Sequence, residues 1–388
     1  MGGDFRQVGG DFLAKALDPE GPPPNTGNPV IRLLLIMYIN QSTNVRWNGI
    51  FSDYFSILNG VKQGMILSAL FYCLYCSSLF ALLKQKRSGC WLNSDYLGIL
   101  GYSDDNLLIA PSPDALQEML QTCEVYAQEH NLKFSTDPNP RLSKTRNMAF
   151  LQQDRPLAKL KLCGNDLPWE KSAKHLGNKI ENVMDGMKQD MKEKRARYIS
   201  RNNELLQEFS FAHQKTKFKV NMIWNSHFSG HVLWDLFCRE AEMVENTWNV
   251  SFRKMYCLPR NTRKFLVEPV SQSIHIKKVF IKHFLTFVDK IKSSKKVALK
   301  NVFRIVKNDC RSVTGSNLRN IMLLVDKTKI EDLCEDDYNK VSYHEIPQEE
   351  LWRVDLINET VDALWGENTV EGFSRDELGY MLGYACVA

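Results

Sequence analysis

The chain is 388 residues long, 44% hydrophobic and 24% charged, with a net charge of +5. Those figures mark an ordinary globular protein, long enough for two or three domains around a substantial core. No apolar run reaches membrane-spanning length, and ten cysteines without regular spacing exclude a disulfide framework.

The opening "MGGDFRQVGGDF" lacks the basic start and apolar stretch of a secretory signal, so an intracellular location with reduced thiols is expected. Cys73 and Cys76 form a lone CxxC in an apolar segment; with no second ligand pair for zinc, both read as core residues. Charge is distributed unevenly: residues 1–140 carry −4, residues 141–310 carry +18, and residues 311–388 carry −9. A basic block between acidic flanks fits a surface that meets a polyanion, and it equally fits a well-solvated helical face.

In chain order, residues 1–29 read as an irregular tail rich in Gly and Pro. The run from Val30, "VIRLLLIMYINQ", has the density of a buried helix. "TNVRW" and "FSDYFSIL" are strand-like and joined through Asn48-Gly49, a strong hairpin signal. A glycine-bracketed loop at 60–64 leads into a long, almost wholly apolar helix with Ser68 as its candidate cap. "YLGILGYS" and "NLLIA" are two apolar strands with Asp104 and Asp105 between them. Ser112-Pro113 then starts a helix whose Leu116, Met119, Leu120, Cys123, Val125 and Ala127 fall largely on one stripe. "TRNMAFL" and "LAKLKLCGNDLPWE" return to strand, the latter turning at Gly164-Asn165.

Together these segments predict an α+β domain over residues 30–173, with helices packed on an antiparallel sheet. From about Lys174 the pattern becomes long, charged and mostly helical: a basic region at 174–260, then a helical region at 261–388 with an acidic end. "EDLCEDDYNK" reads as exposed and mobile, and the closing "RDELGYMLGYACVA" as a short docked helix.

Adjacent carboxylates repel each other and resist burial unless a cation or hydrogen-bond donors neutralise them. A hairpin tip that holds two of them suits magnesium, which favours oxygen ligands and supports phosphoryl transfer. A plain polar turn is the commoner use of Asp-Asp. The surrounding blocks decide between the two. "NGVKQGMILSALF" followed about forty residues later by "GYSDD" resembles successive blocks of reverse transcriptases. "RLLLIMYINQSTNVRWNGIFSDYFSILNGVKQG", "LPWEKSAKHLGNKI", "LPRNTRKFLVEPVS" and "DCRSVTGSNLR" are similar to polymerases of LINE-type, jockey-like retrotransposons.

The resemblance implies a right-hand polymerase palm followed by a helical thumb. In such a palm Asp104 and Asp105 are the metal ligands, with Mg2+ as the cofactor, and Tyr102 lies near the primer end. Gly60, Gln63 and Gly64 approach the incoming nucleotide and template. Lys144 assists proton transfer or neutralises phosphate, or is an ordinary surface lysine. "KLCGNDLPWEKSAKHLGN" corresponds to the primer-gripping hairpin, with Lys174 and His175 near its backbone. The basic helices from about Asn182 to Tyr256 correspond to the thumb, in which Trp224, Trp234 and Trp248 read as core. The implied partners are an RNA template, a DNA primer or target and deoxynucleoside triphosphates; no membrane or protein partner is implied. A nuclear address follows only from the retroelement way of life.

The family also carries an apolar strand ending in a catalytic Asp upstream of the helix at Val30. Here that stretch reads "MGGDFRQVGGDFLAKALDPEGPPPNTG", and Asp11 lacks a preceding apolar strand. Fingers and an endonuclease domain are not evident either. Met65, Ala69 and Ser103 depart from the residues usual in their blocks. The expectation is therefore an N-terminally truncated reverse transcriptase fragment that is inactive for want of its first Asp. The alternatives are a non-catalytic nucleic-acid-binding remnant and an unstable pseudogene product.

Overall fold

The computed structural model describes residues 42–56, 68–130, 132–137, 139, 142–151, 155–182, 187–224, 228–262, 264 and 275–341. The expected tail, the helix from Val30, the glycine loop at 60–64, Asp11 and the C-terminal docked helix lie outside them. The chain divides into two compact units, Met1–Lys171 and Ser172–Ala388.

In the first unit, β1 (Ser42–Thr43) pairs with β4 (Phe55–Ser56) and encloses a hairpin of β2 (Arg46–Trp47) and β3 (Ile50–Phe51). Asn48 and Gly49 form its two-residue loop with φ of 48° and 83°, the left-handed geometry that Asn-Gly favours. Helix α1 (Ser68–Gln85) begins at Ser68 and buries Tyr75, Cys76, Leu79 and Leu83. Cys73 faces outward, so only one cysteine of the CxxC is a core residue.

Hairpins β5 (Trp91–Leu92)/β6 (Asp95–Tyr96) and β7 (Ile99–Tyr102)/β8 (Asp105–Leu108) follow. Backbone bonds from Cys90 N to Ile109 O and from Ile109 N to Gly98 O join their bases. Helix α2 (Pro113–Glu129) starts as the sequence predicts, with Ser112 Oγ accepting from Ala115 N and Pro113 as the first helical residue. It buries Met119, Leu120, Cys123 and Ala127, whereas Val125 is 54% exposed and falls off the predicted stripe.

One face of α2 meets Leu79, Leu83 and Ile99. Leu120 meets Leu160, Leu162 and Leu167 of β10 (Leu160–Leu162) and β11 (Asn165–Leu167). The Gln117 carboxamide closes that contact by exchanging two hydrogen bonds with the Lys161 backbone. The β10/β11 turn is Cys163-Gly164, both at positive φ, one residue before the predicted Gly164-Asn165. Among the described residues the strands of this unit pair in twos. β9 (Asn147–Met148) and β12 (Trp169–Glu170) pair in parallel, where an antiparallel sheet was expected.

The second unit opens with a hairpin, β13 (Ser172–His175) and β14 (Asn178–Glu181), turning at Leu176-Gly177. Strand therefore persists seven residues past Lys174, where the charge pattern suggested helix. His175 pairs with Asn178 across this hairpin. Among the described residues the α-helices are α3 (Lys188–Glu208), α4 (Gln214–Trp224), α5 (Arg239–Met255), α6 (Ile276–Ser293), α7 (Val297–Val306) and α8 (Val313–Leu324). One apolar core, including Tyr198, Trp234, Trp248, Phe252, Phe280, Phe284 and Leu318, draws on helices on both sides of residue 260.

A buried ion pair sits in this unit, Lys194 Nζ to Asp190 Oδ2 at 2.8 Å, both side chains 1% exposed. Trp234 Nε1 and the Lys179 backbone N–H donate to Asp190, and Lys194 donates to Asn178 Oδ1 and to the Ser229 carbonyl. Every charge is thus matched, which burial requires.

"EDLCEDDYNK" is not a loose surface run. Leu333 is buried, and Asp337, 1% exposed, accepts from Lys327 Nζ at 2.5 Å, Cys334 N at 2.9 Å and Lys340 Nζ at 3.0 Å. Burial alone would raise the Asp337 pKa, but the Lys327 ammonium, the Cys334 N–H and Lys340 outweigh it and hold the carboxyl well below the usual range. A depressed folded-state pKa stabilises the fold above the unfolded value near 3.9, and that stability drains away as pH falls through the folded value. Asp337→Asn is expected to lower stability at pH 7 by on the order of 2–3 kcal/mol. It should also flatten the acid limb of stability below about pH 4, read by denaturant melts from pH 7 to pH 2.

Candidate functional site

The predicted aspartate hairpin forms. Strands β7 and β8 are antiparallel with Ile99 opposite Leu108 and Tyr102 opposite Asp105, so Ser103 and Asp104 make the turn. Ile99 is buried against α1 and α2 and fixes the base, while Tyr102, Asp104 and Asp105 are exposed at the tip. Ile99 and, in part, Leu108 turn toward the helices, Leu100 and Leu107 face outward, and the polar pair occupies the solvated end.

Two features set the tip's shape. Ser103 has φ of 53°, a conformation usually left to Gly, Asn or Asp. Gly101, opposite Asn106, lies under the Phe80 ring of α1; a Cβ there would come within 2.5 Å of Phe80 Cζ. Glycine lets the helix sit directly against the hairpin. Asn106 Oδ1 is buried beside this contact without a hydrogen-bond partner.

Tyr72 of α1 belongs to the same neighbourhood, and sequence reasoning missed it. Its phenol is pushed well above the ordinary tyrosine value, first by burial, then by a hydrogen bond with Cys76, with the charges of Cys76 and Asp104 adding to the effect. A neutral phenol is therefore held near the carboxylate tip. The only sequence signal was its place among aromatics on a helix that follows the glycine loop.

Of the other predicted catalytic and nucleotide-binding residues, only Lys144 is among the described ones. Lys144 is exposed, its backbone N–H bonded to Ser135 O, and among the described residues it pairs with neither aspartate. Gly60, Gln63 and Gly64 lie outside the described residues. Asp104 and Asp105 supply hard oxygen donors of the kind magnesium takes. Among the described residues no cluster of three His, Cys, Asp or Glu side chains is placed to hold a metal ion, so the described donor set stops at these two carboxylates.

No helix of the described residues is long and apolar enough to cross a membrane. Residues 5–180, a little under half of the chain, match the family model for reverse transcriptase (RNA-dependent DNA polymerase). No curated protein matches the chain. The match supports reverse transcriptase function in general and a polymerase palm fold, and it brings nucleic-acid template, nucleotide substrates and divalent metal ions as the family's requirements.

Ser103→Gly should relieve the turn and raise stability by about 1 kcal/mol, seen as a higher denaturation midpoint. Gly101→Ala should push Phe80 off the hairpin and lower stability by roughly 1–3 kcal/mol in the same measurement.

Proposed function

We propose that residues 30–173 act as the palm of an RNA-directed DNA polymerase of the LINE type, and residues 174–260 as its thumb. The observation that carries this reading is the pair of exposed carboxylates at the β7/β8 tip, inside the segment that matches the reverse-transcriptase family. Asp104 and Asp105 would hold magnesium, with Asp104 the stronger ligand. Bound there, magnesium would supply charge neutralisation at the transferring phosphate and activation of the attacking hydroxyl. Tyr102, exposed at the end of β7, offers a flat surface to the primer end. Gly60, Gln63 and Gly64 would face nucleotide and template, and Lys144 would neutralise phosphate.

A second reading concerns activity. Two carboxylates are too few to fix two metal ions, and the described residues add no third. We propose that the 388-residue polypeptide binds nucleic acid through its basic block but joins nucleotides on the order of 10²–10³-fold more slowly than a complete centre, or not at all.

Primer extension on an RNA template with magnesium, run beside Asp104→Ala, tests both readings. The expected outcome is no extension above the Asp104→Ala background, with salt-dependent binding of the template–primer retained. Extension that Asp104→Ala abolishes would overturn the inactivity and support the aspartate assignment. Extension that survives Asp104→Ala would overturn the assignment itself.

A further inference from the structure

Residues 228–234 of the second unit carry two of the contacts that seat the buried Asp190–Lys194 pair. The Ser229 carbonyl accepts from Lys194, and Trp234 Nε1 donates to Asp190. The same ion pair holds hairpin β13/β14, through the Lys179 N–H on Asp190 and through Asn178 Oδ1 on Lys194. Gly230, at φ of 82°, lets the segment turn directly against Asn178, since a Cβ there would overlap the Asn178 carboxamide. What anchors residues 228–234 therefore bears on the hairpin too.

Their polar anchor to α6 is a pair of histidines. His231 Nδ1 donates to the Phe228 carbonyl at 2.5 Å, which leaves Nε2 as a lone pair. His283 Nδ1 of α6 donates to that lone pair at 3.0 Å. The His231 ring also stacks on Phe280 of α6, centroids 4.6 Å apart, and meets Trp234 edge to face. The pair has room for one added proton: it enters at the other nitrogen of the exposed His283 ring, and His283 goes on donating. A second has only His231 Nε2 to take. It would set N–H against N–H, two like charges 3.0 Å apart.

Charges on the surrounding elements act on this balance. Lys194 of α3, itself paired with Asp190, acts on His231, and Lys282 of α6 acts on His283. Glu335, in the acidic segment packed on α6, works the other way on His283. Burial pushes the His231 imidazole down to about 4, the Phe228 carbonyl opposing it and the His283 and Lys194 charges adding to it. Burial, then the Lys282 charge, lowers His283 as well.

We propose that His231 and His283 form a proton-operated latch. Neutral, or sharing one added proton, they hold residues 228–234 on α6; a second proton frees that segment and, through Lys194 and Asp190, hairpin β13/β14. The freed form binds its proton at the ordinary histidine value of about 6.5 and the latched form only at lower pH. The latch is therefore complete above about pH 6.5 and weakens as pH falls from there toward the His231 value. That window lies above the one in which Asp337 acts, which opens only below about 3.9. The latch belongs to the second unit and does not rest on the polymerase reading.

Hydrogen–deuterium exchange of the full chain at about pH 7 and about pH 4.5, corrected for intrinsic rates, tests this. Amides of residues 172–181 and 228–234 should lose protection on the order of tenfold at the lower pH, while α2 in the first unit keeps its own. His231→Phe retains a ring to stack on Phe280 and takes no proton, so protection of the two stretches, whatever its level, should be the same at both pH values. Unchanged protection in the unaltered chain overturns the proposal. So does a loss that is as large in α2 as in the two stretches, or a His231→Phe chain as acid-sensitive as the unaltered one. The unaltered chain decides even where the variant fails to fold.

Discussion

Two neighbouring carboxylates are most stable in water, and the hairpin that carries Asp104 and Asp105 ends there. Asp104 and Asp105 stay in water only if the hairpin that carries them ends in water, and a hairpin that ends in water must be held from its other end. Ile99, buried among α1 and α2, and the backbone bonds at Cys90, Gly98 and Ile109 provide that hold. Gly101 then lets Phe80 pack flat against the strand, so the tip projects from a supported base. The same geometry brings Asp104 within electrostatic reach of Tyr72, whose phenol stays protonated there.

The second unit solves the opposite problem, charge taken out of water. Asp190 and Lys194 are matched not only to each other but to Trp234, the Lys179 backbone, Asn178 and Ser229, which ties hairpin β13/β14 to the helical core. Asp337 repeats the device with two lysines and a backbone N–H. In such networks desolvation offsets much of the Coulombic gain, so removing one partner, which strands the other in the interior, costs more than the pair contributes.

What the sequence by itself determined are features whose cause is local. Asn48-Gly49 makes a left-handed turn because both residues tolerate positive φ, and Ser112-Pro113 starts a helix because a hydroxyl caps and proline needs no donor. The aspartate pair between two apolar runs was legible as a hairpin tip for the same reason. Tertiary structure decided the rest, since it depends on partners far away in the chain. The turn at Cys163-Gly164 follows the register that pairs Leu160 with Leu167 for burial under Leu120. Val125 points outward because α2 packs on two faces that do not include it, and Asp337 is buried because Lys327 and Lys340 converge on it. Tyr72 beside Asp104 and His231 against His283 exist only once separate elements meet, and no periodicity along a single element encodes such a meeting.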